Sequence, residues 1–175
     1  MTIGTLILGY LSIDAHLRSQ LRIKDNSMSP YFKPAGFMDS DRVSYLKFTN
    51  LNENLNGCIV AIKNPYKPGE VILRRLVASE NDWIQRMDDG GIIKIPINHM
   101  WVESINPNDR GPDSLSEFGP LSRGFLIGKA KRVVWPLWRF EKVNDLEKFS
   151  KLTNYKYQHS RVFSNQEIFN LYGIR

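Results

Sequence analysis

Between residues 42 and 135 the apolar residues fall in runs too short for globular helices, and glycine, proline or asparagine closes nearly every run. Residues 42–48 alternate around Val43 and Tyr45, with Leu46 beside them. Cys58-Ile59-Val60-Ala61-Ile62 is a short continuous apolar run, the pattern of a buried strand. Asn64-Pro65-Tyr66-Lys67-Pro68-Gly69 is a turn, and residues 70–78 are apolar and β-branched except at Arg74-Arg75. Asp88-Asp89-Gly90-Gly91 has the chemistry of a hairpin turn, with Ile92-Ile93-Lys94-Ile95 as its returning arm. Residues 100–103 and 125–135 are further strands, and residues 106–120 a long loop with three prolines and two glycines. This punctuation predicts a mainly β domain with antiparallel connections.

The two ends depart from that pattern. Residues 1–13 are mostly apolar, but a bilayer span needs about 20 such residues. The stretch that follows, through His16, Arg18, Gln20 and Arg22, is amphipathic and polar. The expectation is one N-terminal helix over residues 1–22, its first turns touching lipid or a partner's groove. No small-residue cleavage site follows it, so a secretory signal is not indicated. Residues 141–175 form a C-terminal extension rich in Lys, Asn, Tyr and Phe. There Ser164-Asn165-Gln166-Glu167 reads as a capping box opening a short terminal helix.

The chemistry this chain can carry is narrowed by what it lacks. One cysteine, Cys58, excludes an internal disulfide and a cysteine-based metal site, and His16, His99 and His159 are widely separated. No metal or other cofactor is expected. The net charge of +6 permits an anionic partner. No basic run interleaved with aromatics and no helix-turn-helix or zinc pattern accompanies it, so nucleic acid is not the expected partner. Trp101, Trp135 and Trp138 read as core or membrane-interface aromatics, His99 as a hydrogen-bonded structural residue, Cys58 as a small buried one, and Glu103 as facing solvent.

Asn26-Ser27-Met28-Ser29-Pro30 combines a hydroxyl, a flexible thioether and a φ-fixing proline in a compact turn. That turn would present the Ser27 hydroxyl exposed and free. Further blocks follow in order: Asn56-Gly57-Cys58-Ile59-Val60, Leu73-Arg74-Arg75-Leu76-Val77, His99-Met100-Trp101-Val102-Glu103, Asp113-Ser114, Phe118-Gly119-Pro120, Ile127-Gly128-Lys129-Ala130 and Trp135-Pro136. Over residues 23–138 this series resembles the mitochondrial inner-membrane protease of the subunit 2 type, a relative of bacterial signal peptidase I.

The resemblance implies a largely antiparallel signal peptidase-like β domain over residues 23–140, a location at the mitochondrial inner membrane on the intermembrane-space side, and other protein subunits as partners. It also implies a serine–lysine dyad that cleaves sorting peptides. In that chemistry a lysine of depressed pKa takes the serine's proton, because a hydroxyl alone is a weak nucleophile. A second serine orients the lysine, and backbone N–H near the nucleophile stabilises the oxyanion.

Carried over residue by residue, Ser27 takes the nucleophile position, with Met28 and Pro30 of the same motif. The base falls on Arg74, followed by Arg75. The orienting serine falls on Gly111, ahead of Asp113 and Ser114, with Ser114 or Ser116 as substitutes. A guanidinium has no lone pair with which to accept a proton at accessible pH. Loss of the base and of the group that held it have one explanation: a non-catalytic member of the family, with Arg74 paired to Asp113 or another carboxylate. Two other readings stay open at this point. One is a working peptidase whose base is Lys63, Lys129 or a partner's lysine. The other is a basic accessory protein of an organellar ribonucleoprotein.

Overall fold

In a computed structural model, the structure describes residues 18–34, 36, 40–47, 55–143 and 161–172. Eleven strands are present among them: β1 (Arg18–Arg22), β2 (Arg42–Lys47), β3 (Ile59–Lys63), β4 (Val71–Ala78), β5 (Trp83–Gln85), β6 (Ile92–Lys94), β7 (His99–Glu103), β8 (Leu121–Ser122), β9 (Leu126–Trp135), β10 (Glu141–Lys142) and β11 (Val162–Phe163). The mainly β expectation holds, and every pairing is antiparallel. The main sheet runs β1-β2-β9-β3-β4-β7-β8, with β10 also on β9, and a small sheet runs β11-β5-β6.

One expectation fails at the start of the described chain. Arg18–Arg22, read as the end of the N-terminal helix, is strand β1, paired with β2 from Arg18↔Leu46 to Arg22↔Arg42. Leu21 packs on the core while Gln20 is exposed, so the polar alternation that suggested one face of a helix is that of an edge strand. The apolar run 1–13, His16, His159 and most of the C-terminal extension ahead of Arg161 lie outside the described residues.

The apolar run of β3 is buried on both faces. Ile59 and Ala61 pack with Val43, Tyr45, Leu73 and Val133 on one side. Val60 and Ile62 pack with Ile72, Leu76, Met100 and Val102 on the other. Such two-sided burial is why its sequence shows no alternation. Beside it, β9 approaches β2 closely at Gly128, where an added Cβ would run into the Leu46 carbonyl.

The sheet curls enough that β1 and β4, separated by three strands in the order, face each other across one groove of about 400 Å³. Gln20–Arg22 line one wall and Val71–Leu73 the other, with Met28 and Asp25 also lining it.

Two more readings are corrected by packing. The long loop 106–120 contains a helical turn, Ser114–Phe118, because Asp113 caps it by accepting from the N–H groups of Leu115 (3.0 Å) and Ser116 (2.8 Å). Glu103 is buried and pairs with Arg161 at 2.9 Å; its other oxygen accepts from Trp101 Nε1 at 2.8 Å. That ion pair ties the C-terminal segment to β7. The terminal helix α1 (Asn165–Tyr172) follows, opened by the expected reciprocal Ser164–Glu167 cap. Trp101 is core, Cys58 is half-buried, and the His99 ring bonds the Ile97 carbonyl.

Candidate functional site

Strand β4 pairs with β7 only from Arg75↔Glu103 onward, so Arg74 stands where β7 leaves it. Two segments fill the gap: the turn carrying Ser27 and the loop 104–112 that continues from β7. The N–H groups of Ile105 and Asn106 both donate to the Ser27 carbonyl at 2.9 Å, stitching the segments together. The turn closes on itself through Ser29 N to Asn26 O (2.9 Å) and Phe32 N to Met28 O (3.0 Å). Beneath it, Met28 is 1 % exposed in the core, and burying a side chain of that size contributes about 1.5–3 kcal/mol.

Ser27 is neither exposed nor free, contrary to the reading of the turn alone. It is fully buried, and its hydroxyl is engaged twice: it donates to Asp25 Oδ1 at 2.6 Å and accepts from Arg74 Nη1 at 2.8 Å. The Ser27 backbone N–H also points at Asp25 Oδ1, at 3.3 Å. Asp25 is the site residue that sequence reasoning missed. The signal was present, because an aspartate two positions ahead of a residue whose N–H it can accept is the pattern of an Asx turn.

Arg74 is 1 % exposed. Its Nη1 also donates to the Leu73 carbonyl (2.6 Å), and its Nε to the Pro112 carbonyl (2.9 Å). Nη2 has no hydrogen-bond partner; its counter-charge is Asp25 Oδ2 at 3.9 Å. Burial pulls the guanidinium pKa below its ordinary value, and the charges of Asp25 and Asp113 oppose that pull. A guanidinium is so strong a base that the group stays protonated at physiological pH.

Of the expected partners, Asp113 or another carboxylate, the one that faces Arg74 is Asp25. Both Asp113 oxygens are committed elsewhere, to the helical turn and to the Ser104 N–H at 3.0 Å.

Gly111 lies against both members of the pair. A Cβ there would stand 3.1 Å from Arg74 Nη2 and 3.5 Å from Ser27 Cβ, and the residue has a φ of +59°. The hydroxyls of Ser114 and Ser116 are turned elsewhere: Ser114 accepts from Val102 N, and Ser116 bonds Gly111 O and Asp113. Pro30 closes the Ser27 turn, while Arg75 is buried opposite Glu103.

Neither candidate lysine is a bonding partner of Ser27. Lys129 stands opposite Val60, which stands opposite Arg74, two strand spacings or roughly 10 Å away. Lys63 stands opposite Val71, three residues along β4 from Arg74, again roughly 10 Å. Among the described residues no cluster of His, Cys, Asp or Glu could hold a metal ion, and no helix is long and apolar enough to cross a membrane.

Comparison with known proteins supplies the family. Subunit 2 of the mouse mitochondrial inner membrane protease is 33% identical over 128 residues, covering 71% of each chain. The chain belongs to the mitochondrial inner membrane protease family. Subunit 2 of budding yeast is 32% identical over 131 residues, covering 72% of this chain and 73% of its own. The Arabidopsis mitochondrial ATP-independent inner membrane protease subunit 1b is 31% identical over 123 residues, covering 66% and 67%. No protein-family model matches the chain. Membership places the chain at the mitochondrial inner membrane.

Proposed function

We propose that this member of the inner membrane protease family is a non-catalytic subunit. On this reading it faces the intermembrane space and works as a structural component among other protein subunits. The observation that carries the reading is the 2.8 Å hydrogen bond from Arg74 Nη1 to Ser27 Oγ. If Ser27 holds the nucleophile position, the group touching its oxygen is a donor where the dyad needs an acceptor. A protonated guanidinium cannot remove the hydroxyl hydrogen.

Asp25 supports the same reading. Its carboxylate holds the hydroxyl hydrogen, but a carboxylate is by nature a far weaker base than an amine. It also holds the Ser27 N–H, the donor that an acyl-transfer oxyanion would require. An oxyanion formed there would have to displace a negative charge and then stand beside it.

The test is cleavage of a sorting-type peptide by the purified chain, alone and together with a family partner subunit, next to Ser27→Ala. Equal background for both proteins is the expected result. Cleavage that disappears in Ser27→Ala overturns the reading.

A further inference from the structure

The C-terminal segment is held at one point far more firmly than along the rest of its described length. Strand β11 is two residues long and pairs with β5. From Asn165 to Leu171 of α1, Ile168 alone is buried. A helix of eight residues is too short to be stable by itself. Trp83 Nε1 donates to Asn165 Oδ1 at 2.7 Å, an exposed contact. Arg161 is the exception. It is buried, and its Nη2 donates to Glu103 Oε2, its Nη1 to the Gln85 carbonyl, and the Gln85 N–H back to the Arg161 carbonyl, each at 2.9 Å.

Glu103 ends β7, and the loop that walls the Ser27 site begins at the next residue. The Ser104 N–H donates to Asp113 Oδ2 at 3.0 Å, and the N–H groups of Ile105 and Asn106 reach the Ser27 carbonyl. The Pro112 carbonyl of the same loop accepts from Arg74 Nε. Across the sheet Glu103 stands opposite Arg75, the neighbour of Arg74. The anchor of the C-terminal segment and the wall of the Ser27 site thus meet at one residue.

We infer that residues 161–172 are a releasable strap: while Arg161 sits on Glu103, the loop 104–112 stays closed over Ser27 and Arg74, and lifting the strap loosens that loop. Arg161 is the cation that faces the Glu103 carboxylate and keeps it out of water. Without it, a buried carboxylate is strongly driven toward solvent. Moving it displaces the backbone at Glu103 and Ser104, and with it the two N–H groups bonded to the Ser27 carbonyl. The coupling is reciprocal, so a loosened loop also weakens the seat of Arg161. This holds whether or not Ser27 is catalytic.

Hydrogen exchange of single amides in the full-length chain, followed by NMR, tests the strap. The Gln85 amide reports the strap, those of Ile105 and Asn106 report the loop, and that of Asn64, bonded to the Glu70 carbonyl in the turn between β3 and β4, is the reference. Arg161→Gln should speed exchange at Gln85, Ile105 and Asn106 by about tenfold or more and leave Asn64 unchanged. Arg161→Gln/Glu103→Gln strands no charge, so Gln85 should be freed while Ile105 and Asn106 keep their protection. Ser164→Ala/Asn165→Ala removes the helix cap and the bond to Trp83 but keeps the ion pair, and carries the test if Arg161→Gln does not fold. There Gln85, Ile105 and Asn106 should speed up by one common factor, about three- to tenfold. Faster exchange at Gln85 with Ile105 and Asn106 unchanged, in whichever of these variants folds with its charge on Glu103, overturns the proposal. So does an equal rise at Asn64, which marks general loosening.

Discussion

Two arginines are almost equally buried in this molecule, and their surroundings are opposites. Arg161 meets a carboxylate as buried as itself, Glu103, at 2.9 Å, and also donates to the Gln85 carbonyl. Arg74 meets a serine hydroxyl and two carbonyls, while its nearest carboxylate, Asp25, is 48 % exposed and 3.9 Å away. The first site is a structural ion pair between two buried charges, with Arg161 Nε left without a hydrogen bond. The second is a guanidinium whose hydrogen-bond partners are a hydroxyl and two carbonyls, and nothing there neutralises it fully. A buried charge needs an opposite charge held close and equally out of water, so the contrast separates a residue that holds the fold from one that occupies a site.

Truncation should expose the difference most strongly. Arg161→Ala leaves Glu103 buried and unpaired, and should cost about 3–5 kcal/mol in chemical denaturation. Arg74→Met strands no buried carboxylate, because Asp25 already reaches water, and should cost only about 1–2 kcal/mol. Equal losses would erase the distinction between the two sites.

Gly111 sharpens the contrast from the other side. Gly111→Ser adds a Cβ against Arg74 Nη2 at a positive φ, and should cost about 1–3 kcal/mol. In an Arg74→Lys background the crowding is relieved while the backbone strain stays, so the two changes should couple by about 0.5–1 kcal/mol in a double-mutant cycle. Strict additivity would show that the glycine and the arginine are unrelated neighbours.

The smallest effect concerns a third buried charge, Asp41. It pairs with Arg139 and accepts the Lys33 N–H, yet one carboxylate oxygen has no partner. Burial raises its pKa above the ordinary carboxylate value, against those two favourable contacts. The folded state therefore holds the proton more tightly than the unfolded chain, and this contribution to stability falls as pH rises through the carboxylate range. Wild type should lose stability relative to Asp41→Asn as pH rises from about 4 toward neutral. A difference that does not change with pH would remove Asp41 from the set of incompletely partnered charges.

The strands were readable because β-branched runs between Pro-Gly and Asp-Gly turns leave few alternatives. The hydroxyl–guanidinium pair was readable only through ordered motif blocks, since Ser27 and Arg74 are 47 positions apart and no periodicity links them. Asp25 went unread as a site residue because its role depends on the carboxylate folding back over its own turn. Glu103 was misread because its partner Arg161 is 58 residues away, beyond any local pattern. The end of the supposed first helix was misread because a polar edge strand and a polar helix face carry similar residues over five positions.

The central claim is that the Ser27 hydroxyl has no amine base, only the weakly basic carboxylate of Asp25. Its most direct test is mass spectrometry of Ser27 after exposure to an activated acyl ester across a range of neutral to alkaline pH. The account predicts no adduct at Ser27 and a profile matching Ser27→Ala. A stoichiometric adduct at Ser27 that grows in as an amine would lose its proton would contradict it.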